Sequence, residues 1–276
     1  MEIQACFVEG QRGQWLDLET GTRLPVTDHP DEVMTVVNAV RGKLPPGITG
    51  LRVLTAKDVW TFRVHPSYGI VPRLEDDGGE VREVWPTNRE LGGTWEVGHV
   101  LPDGNSIPMM YVEGSTAFEM GDDESPSRRK VAVPASFMAK TPTTVRQWNY
   151  FAKAKGKDLK PTTVVDKEGA MVDLTDHPVV EVSYWDSCEF AEWAGVGLPS
   201  EEEWERAARG NDGRKFPWGN ETPTDDLCWS SVTTQKERTS AVLNPDGTPA
   251  RPKGASPYGL LDMSGNVWEW TNTIHK

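Results

Sequence analysis

Pro257-Tyr-Gly-Leu-Leu-Asp-Met-Ser-Gly-Asn-Val-Trp-Glu-Trp270 is the stretch on which the fold of this chain turns. A Pro/Gly turn opens it, a short apolar run follows, Ser264-Gly265-Asn266 makes a second turn, and two tryptophans then flank one carboxylate. Such a concentration of turn formers and aromatic anchors does not belong to a disordered tail.

Working outward, Gly197-Leu-Pro-Ser-Glu-Glu-Glu-Trp-Glu-Arg-Ala-Ala-Arg-Gly210 and Phe216-Pro-Trp-Gly219 precede it. Further upstream stand Met110-Tyr-Val-Glu-Gly114, Phe118-Glu-Met-Gly121 and Asp176-His-Pro-Val-Val-Glu-Val-Ser-Tyr-Trp-Asp186. In this order and spacing the blocks, spanning about residues 108 to 270, resemble the formylglycine-generating enzyme (sulfatase-modifying factor) family. The resemblance implies a C-type-lectin-like fold of low regular secondary structure.

In the enzymes of that family a late cysteine pair binds copper and uses oxygen to convert a substrate cysteine to formylglycine, soft thiolates being suited to Cu(I). The pair belongs to a segment beginning Arg-Gly-Gly-Ser-Trp after the tryptophan motif, which the residues up to Lys276 do not contain. No catalytic residue is therefore assigned here, and copper is not expected in this chain. Cys188 falls on the apolar stripe of a helix, as a small buried thiol would, and Cys228 on a loop where the enzymes tend to carry a calcium-coordinating asparagine. The family's other calcium site, near the tryptophan motif, is better kept. Carbonyls of Ser264, Gly265 and Val267 with the Glu269 carboxylate would be its hard oxygen ligands. Equally open is a structural role in which Asn266 and Glu269 bond backbone amides and hold the turn.

Composition bounds the rest. Forty-two acidic against 29 basic residues give a net charge of −13, which argues against a general affinity for nucleic acid or anionic membrane. Three widely spaced cysteines, Cys6, Cys188 and Cys228, form no disulfide framework and no CxxC zinc pair. With no signal-like start and no membrane-length apolar run, a cytoplasmic protein is the expectation. Twelve tryptophans beside 26 glycines and 21 prolines suggest a turn-rich fold whose tryptophans are mostly core.

The 276 residues have room for two cores, and two domains are expected: 1–100, a small α+β domain, and 101–276, the family-like domain lacking its last segment. In the first, Ala5–Val8, Leu51–Leu54 and Val59–Val64 read as strands, and Val33, Val36, Val37 and Val40 share one helical face between Pro30 and Gly42. Glu75–Glu80, with Gly78-Gly79 inside, reads as a solvated loop or linker.

In the second domain three helices announce themselves by capping boxes. Thr144 with Gln147 opens one that buries Trp148 and Phe151 and stops at Gly156. Ser183 with Asp186 opens another, with Trp185, Cys188 and either Ala191 or Glu192 along one stripe, closed by Trp193, Ala194 and Gly195. Ser200 with Glu203 opens a third, burying Trp204, Ala207 and Ala208 before Gly210. The acids Glu201, Glu202 and Glu203 then need no catalytic role, since caps and the helix dipole account for them. Beyond Gly210 the chain reads as loop.

The same fold carries binding functions, as in the variable proteins of diversity-generating retroelements. The expected function is a non-catalytic ligand- or partner-binding (display) protein. Alternatives are a copper-dependent formylglycine-generating oxidase lacking its final segment here, or a subunit completed by a partner chain. A sulfoxide-synthase relative would carry a helical domain with paired histidines in front, a pattern that residues 1 to 95 do not show.

Overall fold

The computed structural model describes the strand backbone between residues 2 and 84 and, beyond it, residues 93–94, 96–121, 128–231 and 238–274. Two compact units divide the chain, Met1–Trp95 and Glu96–Lys276.

Alternating β-formers give the first unit an antiparallel six-stranded sheet: β1 (Glu2–Phe7), β2 (Gln14–Asp17), β3 (Ile48–Leu54), β4 (Val59–His65), β5 (Gly69–Asp77) and β6 (Glu80–Val84). Its order is β2-β1-β3-β4-β5-β6, and the register sets Leu51 opposite Phe62 and Val53 opposite Trp60. The acidic stretch expected as a linker is instead hairpin: Glu75 pairs with Arg82 and Asp77 with Glu80. A Gly-Gly pair flanked by pairable residues is a hairpin signal, and the run of charge masked it. The valine-faced helix expected over 31–40 lies outside the described residues.

In the second unit β7 (Glu96–Val100), β8 (Ser106–Val112) and β11 (Ser136–Ala139) form an antiparallel sheet with β8 in the middle. Separate hairpins pair β9 (Ser115–Met120) with β10 (Arg129–Val133) and β12 (Thr163–Val165) with β13 (Met171–Asp173). The three helices are α1 (Val145–Lys155), α2 (Tyr184–Ala194) and α3 (Glu201–Arg209). Each has the expected capping box, and α1 and α2 end on a left-handed glycine, Gly156 and Gly195.

The central strand divides the core by its period of two. Ile107 and Met109 face one cluster with Leu101, Trp148, Phe151, Ala152, Phe190 and Ala194. Met110 and Val112 face the other, where Ala207 and Ala208 of α3 meet Tyr258, Leu260 and Met263. Phe151 is fully buried, with ring centroids 5.1 Å from Trp148, 5.7 Å from Phe190 and 5.6 Å from Trp193. Burial of this aromatic group stabilises the unit by roughly 25 cal/mol per Å² of apolar surface removed from water.

Two expectations about packing are corrected. On α2 Ala191, one of the two residues expected on the stripe, is buried together with Phe190 and Ala194, while Trp185 points outward and Cys188 is half-buried. Trp185 stands in the first turn, where the helix meets chain outside the core, so helical phase alone assigned it the wrong face. Of the eight described tryptophans only Trp148 is buried; Trp193, Trp204, Trp218 and Trp229 are half-buried and Trp185, Trp268 and Trp270 exposed. Tryptophan here borders the core more than it fills it, in keeping with a side chain that is large and carries one polar edge.

Candidate functional site

The Pro257–Trp270 segment is built from its turns outward. The Ser256 hydroxyl accepts from the amides of Tyr258 and Leu260, and the Ser256 amide donates to the Leu260 carbonyl at 2.8 Å. The apolar run Leu260, Leu261 and Met263 is thereby delivered into the core, and the Leu261 amide reaches the Lys140 carbonyl beyond β11 at 2.8 Å.

The second turn requires unusual backbone. Asp262, Gly265 and Asn266 have φ of 53°, 96° and 60°. Asn266 holds it: its amide donates to the Trp229 carbonyl (2.6 Å), its Oδ1 accepts from the Ser240 amide (2.9 Å), and its Nδ2 donates to the Ser240 carbonyl (2.9 Å) and Asp262 Oδ2 (2.7 Å). Arg251 braces the same knot by hydrogen bonding Ser240 Oγ, lying over the Trp229 ring at 5.0 Å and facing Asp262 Oδ1 at 3.7 Å. Burial raises the Asp262 pKa, and the Asn266 and Arg251 contacts oppose that rise.

The four residues proposed for calcium thus fall in one well-defined segment. The Gly265 carbonyl accepts from the Val267 amide at 2.8 Å, and Glu269 Oε2 accepts from the Trp204 indole at 3.3 Å. Glu269 is crowded by protein while still presenting surface to water; crowding first, and the nearby Asp262 charge, push its pKa up to about 7, and the indole bond and that water limit the rise. Among the described residues no group of three or more His, Cys, Asp or Glu side chains could hold a metal. A cation in this segment would draw on main-chain carbonyls and one carboxylate.

Two of the thiols lie among the described residues. Cys228 is buried, chiefly by which its pKa is raised, and Cys188 is hydrogen-bonded with Tyr184. No helix among the described residues is long and apolar enough to cross a membrane.

One polar core residue escaped the sequence reading. Arg206 of α3 is fully buried, stacked on Tyr258 at 5.1 Å and Phe118 at 6.0 Å; it hydrogen-bonds the Tyr258 hydroxyl and faces Glu113 Oε1 at 3.5 Å. Burial pushes the Tyr258 pKa up to about 12. The neighbouring Ala207-Ala208 pair was the available signal, since two small residues bring the helix close enough to its neighbours to enclose the side chain between them.

Finally, the chain after Glu269 runs past the starts of α2 and α3. Asn272 donates to the Leu198 and Pro199 carbonyls, the Glu201 amide donates to Thr273 Oγ1, and the Trp270 indole donates to the Val182 carbonyl at 3.2 Å. Tyr184 packs edge-on against Trp185 (5.3 Å) and Trp270 (6.0 Å). The result is an aromatic ledge whose Trp185 is 76% exposed and Trp270 50%, with Trp268 of the same segment fully exposed.

Comparison with known proteins gives the family. Residues 101–276 match the model of the sulfatase-modifying factor enzyme 1-like domain. A formylglycine-generating enzyme of Mycobacterium tuberculosis is 39% identical over 110 residues, 39% of this chain and 37% of that protein. A hercynine oxygenase of the same organism is 40% identical over 102 residues, covering 36% and 22%. An uncharacterized Bacillus subtilis protein, YfmG, is 25% identical over 275 residues, covering 84% and 55%. The chain spans well under two thirds of the length of each of these relatives. With its matched region taking in the whole capped-helix and tryptophan-motif unit, the chain belongs to the sulfatase-modifying factor enzyme 1-like (formylglycine-generating-enzyme-like) domain family.

Proposed function

We propose that the family domain is a C-type-lectin-like binding module that takes a polypeptide or other ligand on the ledge formed by Tyr184, Trp185 and Trp270. The exposure of Trp185 and Trp270 around Tyr184, beside capped helices, carries this proposal. Large rigid side chains bury much area for little lost conformational freedom when a partner arrives, and a contiguous exposed aromatic face is otherwise a solubility liability. Calcium is proposed for segment 264–269, with Ser264, Gly265, Val267 and Glu269 as oxygen ligands and water completing the six to eight oxygens such an ion takes.

The test is selection of a random peptide library on the wild-type protein against a Trp185→Ser variant. Trp185 is exposed, so the change leaves the core alone. Binders that require Trp185 are expected; enrichment indifferent to the change would overturn the proposal.

A second function, oxidation of a substrate cysteine, is favoured by the formylglycine-generating enzyme at 39% identity. Oxygen uptake by protein from its native source, supplied with Cu(I) and a cysteine-containing peptide, decides it. Turnover surviving in Cys188→Ser and Cys228→Ser would place the chemistry on other thiols, and no turnover would exclude this function.

A further inference from the structure

The end of the tryptophan motif is held on differently from its start. Met263 is its last buried residue, and residues 264–274 all present surface to water. The turn at the base is fixed by the four hydrogen bonds of Asn266. Residues 270–274 are instead tied by polar contacts to the chain just ahead of two helices. The Trp270 indole donates to the Val182 carbonyl before α2 at 3.2 Å. Before α3, the Asn272 amide donates to the Pro199 carbonyl and its Nδ2 to the Leu198 carbonyl, both at 2.9 Å. Thr273 Oγ1 accepts from the Glu201 amide at 2.8 Å, so it gives a first-turn amide of α3 an acceptor that the helix itself lacks.

We infer that residues 270–274 form a strap that opens from the starts of α2 and α3 as one unit, and that its closure assembles the ledge. Segments held by solvent-accessible hydrogen bonds, with little apolar burial, open well below the free energy of global unfolding. Here every released group returns to water and no buried side chain leaves the core. Asn272 and Thr273 are consecutive and grip the same stretch, 198–201, so loss of one tie loosens the other. Tyr184 and Trp185 stay on α2 when the strap lifts, but Trp270 leaves with it and takes away one of the two indoles that meet Tyr184. A ligand that touches Trp185 and Trp270 together therefore binds the closed form and holds the strap shut, a step that rests on the binding function above.

Amide hydrogen exchange of the intact protein, followed by nuclear magnetic resonance, tests both steps. The Asn272 and Glu201 amides report the two grips, and the Leu261 amide, bonded to the Lys140 carbonyl, reports deeper opening. Protection at Asn272 and Glu201 is expected to be alike and well below that at Leu261. Asn272→Ala should speed exchange at Glu201 by about fivefold, the scale of one exposed hydrogen bond, and Thr273→Val should do the same at Asn272. Leu261 should be unaffected by either change. A selected peptide that requires Trp185, at a free concentration about a hundred times its Kd, should slow both strap amides by about a hundredfold.

Protection at Asn272 and Glu201 as high as at Leu261 would make residues 270–274 part of the core and overturn the inference. So would a Glu201 rate indifferent to Asn272→Ala together with an Asn272 rate indifferent to Thr273→Val, since the ties would then break independently. A Trp185-dependent peptide that leaves both rates unchanged would sink the coupling of strap to ledge and keep the binding function. No Trp185-dependent peptide at all would remove the binding function, while the rates in the free protein and the two variants would still decide whether the strap opens.

Discussion

Replacing Gly265 by alanine tests the turn at the centre of the tryptophan motif. Two costs are expected. The first is conformational: φ of 96° is a region that L side chains rarely adopt, worth about 1–2 kcal/mol. The second is steric. A Cβ on Gly265 would lie 2.5 Å from the Trp229 carbonyl oxygen, a main-chain atom that cannot rotate away. Relief of that contact pulls Trp229 away from the Asn266 amide, stretching a 2.6 Å hydrogen bond whose loss costs about 1–2 kcal/mol.

Gly104 supplies the control, since its φ is 86° but a Cβ there meets nothing within 4 Å. Gly104→Ala should therefore cost only the first amount, and Gly265→Ala about 2–4 kcal/mol in all. For a unit of this size that is a fall in Tm of roughly 4–16 °C. Thermal melts of the intact chain followed by near-ultraviolet circular dichroism give both values side by side. If Gly265→Ala is no more destabilising than Gly104→Ala, the close approach to Trp229 does not constrain the turn and the account of the motif fails.

Three further outcomes are expected. Phe151→Ala empties a fully buried site between Trp148, Phe190 and Trp193 and should cost about 3–5 kcal/mol by urea unfolding, whereas a loss under 1 kcal/mol would mean the cluster is not the core it looks to be. His177, buried with Nδ1 2.9 Å from Thr239 Oγ1, has its pKa lowered chiefly by burial; its neutral form is the one folding accommodates, so its contribution is full above the unfolded value of 6.5 and is lost as pH falls through the folded one. His177→Gln should flatten the decline in stability below pH 6.5, and an unchanged pH profile would clear His177 of that part. If calcium occupies segment 264–269, millimolar calcium should raise the Tm of the wild type and chelator reverse it, with both effects absent in Glu269→Gln; no shift in the wild type would leave Asn266 as the turn's holder without an ion.

Local chemistry made much of this molecule legible from its sequence. All three helices of the second unit begin at the expected capping serine or threonine, because a capping box is satisfied within four residues and needs no distant partner. The strands around Leu51–Leu54 and Val59–Val64 were legible for the same reason, runs of β-forming residues being a local signal. The Ser264-Gly265-Asn266 turn was read correctly as a turn, and its glycine proves to be required both by φ and by the Trp229 carbonyl.

What needed the tertiary structure was everything decided by partners far away in the chain. Trp185 sits on a helix whose inner phase it nearly shares, yet Trp270, eighty-five residues on, meets Tyr184 beside it and leaves the indole outside. Arg206 looks like a surface charge until Tyr258, Glu113 and Phe118 close around it. Asn266 looked like a turn former, and only the fold supplies Ser240 and Trp229 as the groups it ties together. The sequence by itself determined where elements start, stop and turn, since those choices rest on interactions within a few residues. Only the tertiary structure decided which aromatic side chains are core and which are exposed, because burial belongs to the packing of segments that the sequence keeps apart.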